Sequence, residues 1–72
     1  MNSGGMELTI NGEKRSGFVA PLTVTDLLEQ LGINPKSVAV ERNLEIVARN
    51  AMNKAAIQDG DTIEIIRLVG GG

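Results

Sequence analysis

Seventy-two residues suffice for one small domain, and a chain of that size buries only roughly 60% of the surface its unfolded form exposes, too little for a deep enzyme cleft. The chain has neither Cys nor His, so disulfides, thiolate metal sites, the usual neutral-pH base and the most reactive nucleophile are all missing. Seven Lys and Arg against nine Asp and Glu give a net charge of −2 and Phe18 is the single aromatic, which leaves neither a phosphate-neutralising excess nor a stacking platform for a nucleic acid.

The first five residues are small and polar, and Met6 could itself begin the native chain, so residues 1–5 read as a flexible extension. They carry no basic-plus-apolar signal segment, and no apolar run in the chain approaches the ~20 residues that span a bilayer. A soluble protein of the reducing cytoplasm, with no membrane contact, is the expectation. Met6, Leu8 and Ile10 alternate with Glu7 and Thr9 as a half-buried strand, and Asn11-Gly12 follows as a hairpin turn. The return strand, Glu13–Val19, fits a two-residue turn badly. Such a turn would set Glu13 opposite Ile10 and Arg15 opposite Leu8, so a bulge or longer loop near Gly17 is expected to shift the register.

Pro21 ends that strand, and Thr23 with Asp26 three residues later has the form of a helix N-cap with an acidic partner. Val24, Leu27, Leu28 and Leu31 then fall on one helical stripe, with Asp26, Glu29 and Gln30 facing away. The stripe is read as core rather than as a partner groove. Gly32 supplies a left-handed C-terminal position, and Pro35 prevents continuation. Short strands at 38–40 and 45–47 flank a turn at Arg42-Asn43-Leu44. Residues 48–57 read as an irregular or short helical crossover anchored by Met52 and Ile57. Gln58-Asp59-Gly60-Asp61 is a tight turn whose carboxylates are turn formers, too few for a metal site.

Residues 62–69 form the last strand. Ile63, Ile65 and Arg67 lie on one face and Glu64, Ile66 and Leu68 on the other, and apolar residues on both faces predict a place near the centre of the sheet. Glu41, Arg42, Glu64 and Arg67 read as solvated charges at the sheet edge. Ile66 and Leu68, with Val69 after them, are either a small apolar docking patch for a partner or are covered by the crossover.

The strand runs straight into Gly70, Gly71 and Gly72. Three residues without side chains lose the most conformational entropy on ordering, so they cost stability, and extended they reach roughly 10 Å past the strand. Such a tail is slim enough to thread a narrow active site of another protein. The whole reads as an α+β domain at 6–69 followed by a flexible glycine tail at 70–72. Hairpin, helix, two strands, crossover and final strand is the order of a mixed sheet curled over one main helix, with first and last strands side by side and parallel.

This is the ubiquitin-like β-grasp order. The run Val40-Glu41-Arg42-Asn43 with Glu45-Ile46-Val47 and Arg49, the turn Gln58-Asp59-Gly60-Asp61, and the closing Ile65-Ile66-Arg67-Leu68-Val69-Gly70-Gly71-Gly72 resemble the sulfur-carrier proteins of thiamine biosynthesis, the ThiS family. The resemblance covers residues 6–72. Ile46-Val47-x-Arg49 favours the thiamine branch over the small subunit of molybdopterin synthase and other ubiquitin-like sulfur carriers, which share the Asp-Gly-Asp turn and terminal glycines.

The resemblance implies a protein co-substrate that binds no cofactor. A ubiquitin-activating-enzyme-like adenylyltransferase (ThiF-like) would use ATP and Mg to adenylate the carboxylate of Gly72, while Gly70 and Gly71 thread its channel. A sulfur relay fed by a cysteine desulfurase would convert the adenylate into a thiocarboxylate, and thiazole synthase (ThiG-like) would receive the sulfur. Composition adds that a chain without Cys or His is ill-equipped to run this chemistry alone. Two other classes stand beside that reading: a non-catalytic β-grasp interaction module, for which trimming the glycines leaves binding intact, and a small enzyme, which lacks nucleophile and base.

Overall fold

The computed structural model describes residues 5–69; the expectations for residues 1–4 and for the glycines at 70–72 lie outside the described residues. Five strands, β1 (Gly5–Ile10), β2 (Glu13–Val19), β3 (Val38–Arg42), β4 (Glu45–Ile46) and β5 (Thr62–Arg67), form one sheet in the order β2-β1-β5-β3-β4. The first strand begins at Gly5, opposite Val19, one residue ahead of the alternation in the sequence. As expected, β5 is central, parallel to β1 on one side and antiparallel to β3 on the other.

The single α-helix, α1 (Val24–Gln30), begins with a capping box in which the Thr23 hydroxyl accepts from the Asp26 N–H and the Asp26 carboxylate accepts from the Thr23 N–H, both at 3.0 Å. The next two free donors of its first turn, the N–H groups of Val24 and Thr25, go to the carbonyls of Ala55 and Met52 at 3.1 Å. The crossover is therefore tied to the helix end as well as by its own turns, and a short 3-10 turn, Arg49–Ala51, is its only regular piece among the described residues. At the other end Gly32 is left-handed, and the bonds Gly32 N–H to Glu29 and Ile33 N–H to Leu28 close a Schellman motif.

Val24, Leu27 and Leu28 of α1 pack with Leu8, Val38, Val40 and Ile63 of the sheet and are fully buried; Met52 and Ile57 close the core from the crossover. Burying a Leu or Val of this kind contributes about 1.5–3 kcal/mol over leaving it exposed.

The first hairpin corrects one expectation and bears out another. Ile10 does pair with Glu13 and Leu8 with Arg15, the register that set charges opposite core residues. The arrangement is tolerated because β2 is the edge strand, where both charged side chains are exposed at the sheet rim. The bulge at Gly17 comes after them: Glu7 faces Ser16 but Met6 faces Phe18, and Gly17, at φ +96°, is the extra residue. Without it the odd-numbered residues would keep the covered face. With it Phe18 turns inward and is buried.

Candidate functional site

The central strand β5 pairs with β1 only at Thr62 and Ile63 and with β3 from Ile63 to Arg67, and asparagine side chains from the β1–β2 and β3–β4 turns hold it in addition. Asn11, left-handed in the first hairpin turn, reaches across to β5: its Oδ1 accepts from the Ile65 N–H at 2.7 Å and its Nδ2 donates to the Ile65 carbonyl at 3.4 Å. Asn43, left-handed in the β3–β4 turn, does the same at the start of β5, accepting from the Thr62 N–H at 2.9 Å. Past the strand, the Leu68 N–H donates to the Ser37 carbonyl at 2.9 Å.

The face of the sheet turned away from α1 carries two rows. Ile46, Glu41 and Glu64 lie opposite one another across β4, β3 and β5, and Ala39 lies opposite Ile66. Ile66 is 44% exposed, Leu68 46%, Ile46 65% and Val69 93%. The docking alternative for Ile66, Leu68 and Val69 thus fits the geometry, and burial of Ile66 and Leu68 against the crossover is excluded. The sequence reading missed Ile46, whose place beside this patch comes only from strand pairing. Gly70, Gly71 and Gly72, expected to thread and to react, follow directly on Val69 in sequence but lie outside the described residues.

Arg42 is not a free sheet-edge charge as expected. Its Nε bonds the Asp61 carboxylate at 2.7 Å. Asp61, 6% exposed, also accepts from the Asn43 amide at 3.0 Å and from the Gln58 N–H at 2.8 Å. Burial alone would raise its pKa. The Gln58 backbone donor, the Asn43 amide and the Arg42 guanidinium together outweigh burial and hold the carboxyl below its ordinary value. Asp59 accepts from the Glu7 N–H at 2.8 Å, and Gly60 donates to the Glu7 carbonyl at the same distance. Both carboxylates of the Asp-Gly-Asp turn are therefore spent on fixing β5 to its neighbours, as turn formers.

The model of the ThiS family matches residues 7–72. A thiazole synthase of Paramagnetospirillum magneticum is 51% identical over 67 residues, which are 93% of this chain and 20% of that protein. The sulfur carrier protein ThiS of Bacillus subtilis is 42% identical over 65 residues, covering 90% of this chain and 98% of its own. The crystal structure of the thiamine biosynthesis protein ThiS from Geobacter metallireducens superposes with a TM-score of 0.80 at 38% identity, covering 93% of this chain and 100% of the other. The chain thus spans about a fifth of the thiazole synthase and nearly the whole of the two smaller proteins.

Proposed function

The chain belongs to the ThiS family, and from that membership we propose that it carries sulfur for the thiazole moiety of thiamine, as a co-substrate and not as a catalyst. The observation that carries this reading is the family match itself, which runs through residue 72 and so includes the glycines. A carboxylate is a poor electrophile. Attack of the Gly72 carboxylate on the α-phosphorus of ATP, with Mg-bound pyrophosphate leaving, gives a mixed anhydride. A persulfide from a relay fed by a cysteine desulfurase then attacks the activated carbonyl and AMP leaves, giving an acyl disulfide; a second thiol of the partner proteins cleaves its S–S bond, is itself oxidised to a disulfide with the relay cysteine, and leaves a thiocarboxylate on Gly72.

A ThiF-like adenylyltransferase supplies the groups that this chain lacks, in the cytoplasm, where ATP is at hand. No helix of the described residues is long and apolar enough to cross a membrane. Gly70 and Gly71 thread the enzyme's channel, and the exposed Ile66, Leu68 and Val69 meet its surface. Thiazole synthase is the recipient, a role supported by the thiazole synthase segment that is alike to this chain.

Intact mass tests the reading. Incubation with the source organism's adenylyltransferase, ATP, Mg and a sulfur donor should exchange one oxygen for sulfur, located to Gly72 by fragmentation. A variant lacking residues 70–72 should stay unmodified. A wild-type chain that is never modified overturns the proposal.

A further inference from the structure

Arg49 belongs to the crossover and is remote in sequence from β5, yet its guanidinium brackets the segment that receives the end of that strand. One terminal nitrogen donates to the Pro35 carbonyl at 2.7 Å and the other to the Val38 carbonyl at 3.2 Å. Ser37 lies between those two residues, within the 3-10 turn Pro35–Ser37 and just ahead of β3. The turn is further tied by the Ser37 hydroxyl to the Asn34 carbonyl at 2.8 Å and by the Lys36 N–H to the Asn34 side chain at 2.9 Å. The Ser37 carbonyl then accepts from the Leu68 N–H, one step beyond the last paired residue, Arg67. Among the described residues this is the last backbone bond along the chain, and Val69 after it is almost fully exposed.

We infer that Arg49 is a positioning residue for transfer at the tail: by fixing Pro35 and Val38 it fixes the Ser37 carbonyl, and through it the point at which Leu68 and Val69 leave the sheet. The inference rests on the carrier reading above. A planar guanidinium suits the task because its fork can hold two carbonyls at once, whereas a lysine ammonium is a point charge on a flexible stem. Reaction requires the terminal carboxylate within about 3–3.5 Å of the nucleotide phosphorus, and misplacement by roughly 1 Å can cost a hundred-fold in rate. The exit sets the start of that reach. Ile66, held opposite Ala39 within the sheet, would still dock, so the loss should fall on turnover far more than on affinity.

The test compares wild type, Arg49→Lys and Arg49→Gln in adenylation by the source organism's adenylyltransferase, with amide exchange of the free proteins alongside. Arg49→Gln should lower kcat by roughly ten-fold or more at nearly unchanged KM, Arg49→Lys should fall between, and exchange at Leu68 should rise while that at Ile63 and Ile65 holds. A general loss of protection across β5 with an unchanged kcat would make Arg49 merely structural and overturn the inference. So would protection at Leu68 and a kcat both equal to wild type. A wild-type chain that is not adenylated removes the carrier reading instead, while exchange at Leu68 still reports whether Arg49 fixes the exit.

Discussion

Arg42 turns to the covered side of the sheet and closes on Asp61, while its chain neighbour Glu41 turns to the open side and stands directly opposite Glu64. On the covered side the charges are opposite and close, with hydrogen bonds at 2.7–3.0 Å from Arg42, Asn43 and Gln58 meeting one carboxylate. Among the described residues no buried side-chain polar atom lacks a partner. On the open side two like charges share a cross-strand position, flanked by exposed Ile46, Ile66 and Leu68. Like charges in that relation destabilise a sheet, and exposed aliphatic side chains contribute little to folding. Two strands thus have one face arranged for the fold and one that the fold leaves unused. A surface that does not serve the domain's own stability is where an outside partner has room to act.

The largest effect that would sharpen this division is at the tail, beyond either face. Deleting Gly72, or adding one residue after it, moves the carboxylate that we propose to react by roughly 3.5 Å and should abolish adenylation while the thermal melt stays as in wild type. Pyrophosphate exchange with the adenylyltransferase measures it. Exchange retained by both variants would leave the glycines without a chemical role.

Next comes the open face. Ile66→Asp puts a charge where a partner would bury an aliphatic side chain and should weaken docking by about 2 kcal/mol or more, a rise in Kd of over ten-fold. The free variant should melt close to wild type because Ile66 is already exposed, and Glu29→Gln on the far side of α1 should change neither quantity. A large drop in melting temperature would move Ile66 to the covered side of the comparison.

The covered corner should show the converse. Asp61→Asn keeps the shape but removes the charge that three donors face, and should cost about 2 kcal/mol of stability at neutral pH with docking unaffected. The pH dependence has a fixed sign. The folded carboxyl lies below its ordinary value, so its contribution is complete above the unfolded value of about 3.9 and is lost as pH falls through the lower, folded one. Denaturant midpoints across that acid range should fall less steeply in Asp61→Asn than in wild type. Parallel curves would show that Asp61 is not a source of the acid dependence.

What the sequence disclosed follows the same division. Periodicity placed the helix, the crossover anchors and the central strand because burial writes itself into spacing: Val24, Leu27 and Leu28 on one stripe, Ile63 between polar neighbours. Asn-Gly marked the first turn but not what Asn11 does there, since a side chain that clasps Ile65 acts across 54 positions. Arg42 read as a free edge charge because its partner Asp61 is 19 residues away. The register of β2 is not legible from pairing charges against core residues, because β2 is an edge strand whose Glu13 and Arg15 side chains reach solvent at the rim. At the site, Ile66, Leu68 and Val69 were legible as apolar residues leading to the glycines. Ile46 was not, since nothing local says that β4 lies beside β3 on that face.

The smallest effect concerns the Glu41–Glu64 pair and is the one that could break the comparison. If the open face is indeed not tuned for folding, Glu64→Gln should stabilise the free domain by about 0.5 kcal/mol, by removing one of two like charges that sit directly opposite. The two cations nearest in sequence do not relieve the pair: Arg42 is committed to Asp61, and Arg67 lies opposite Val38 on the covered side. Lys14, on the open face, pairs with Thr9 at the edge strand, two strands from Glu64. The gain should be greatest at low ionic strength and shrink in 1 M salt, where screening falls to roughly 3 Å. Paired denaturant titrations at both salt levels measure it. A loss of stability on Glu64→Gln would mean that the glutamate is held by the fold after all, and the two faces of β3 and β5 would then differ in solvent exposure but not in purpose.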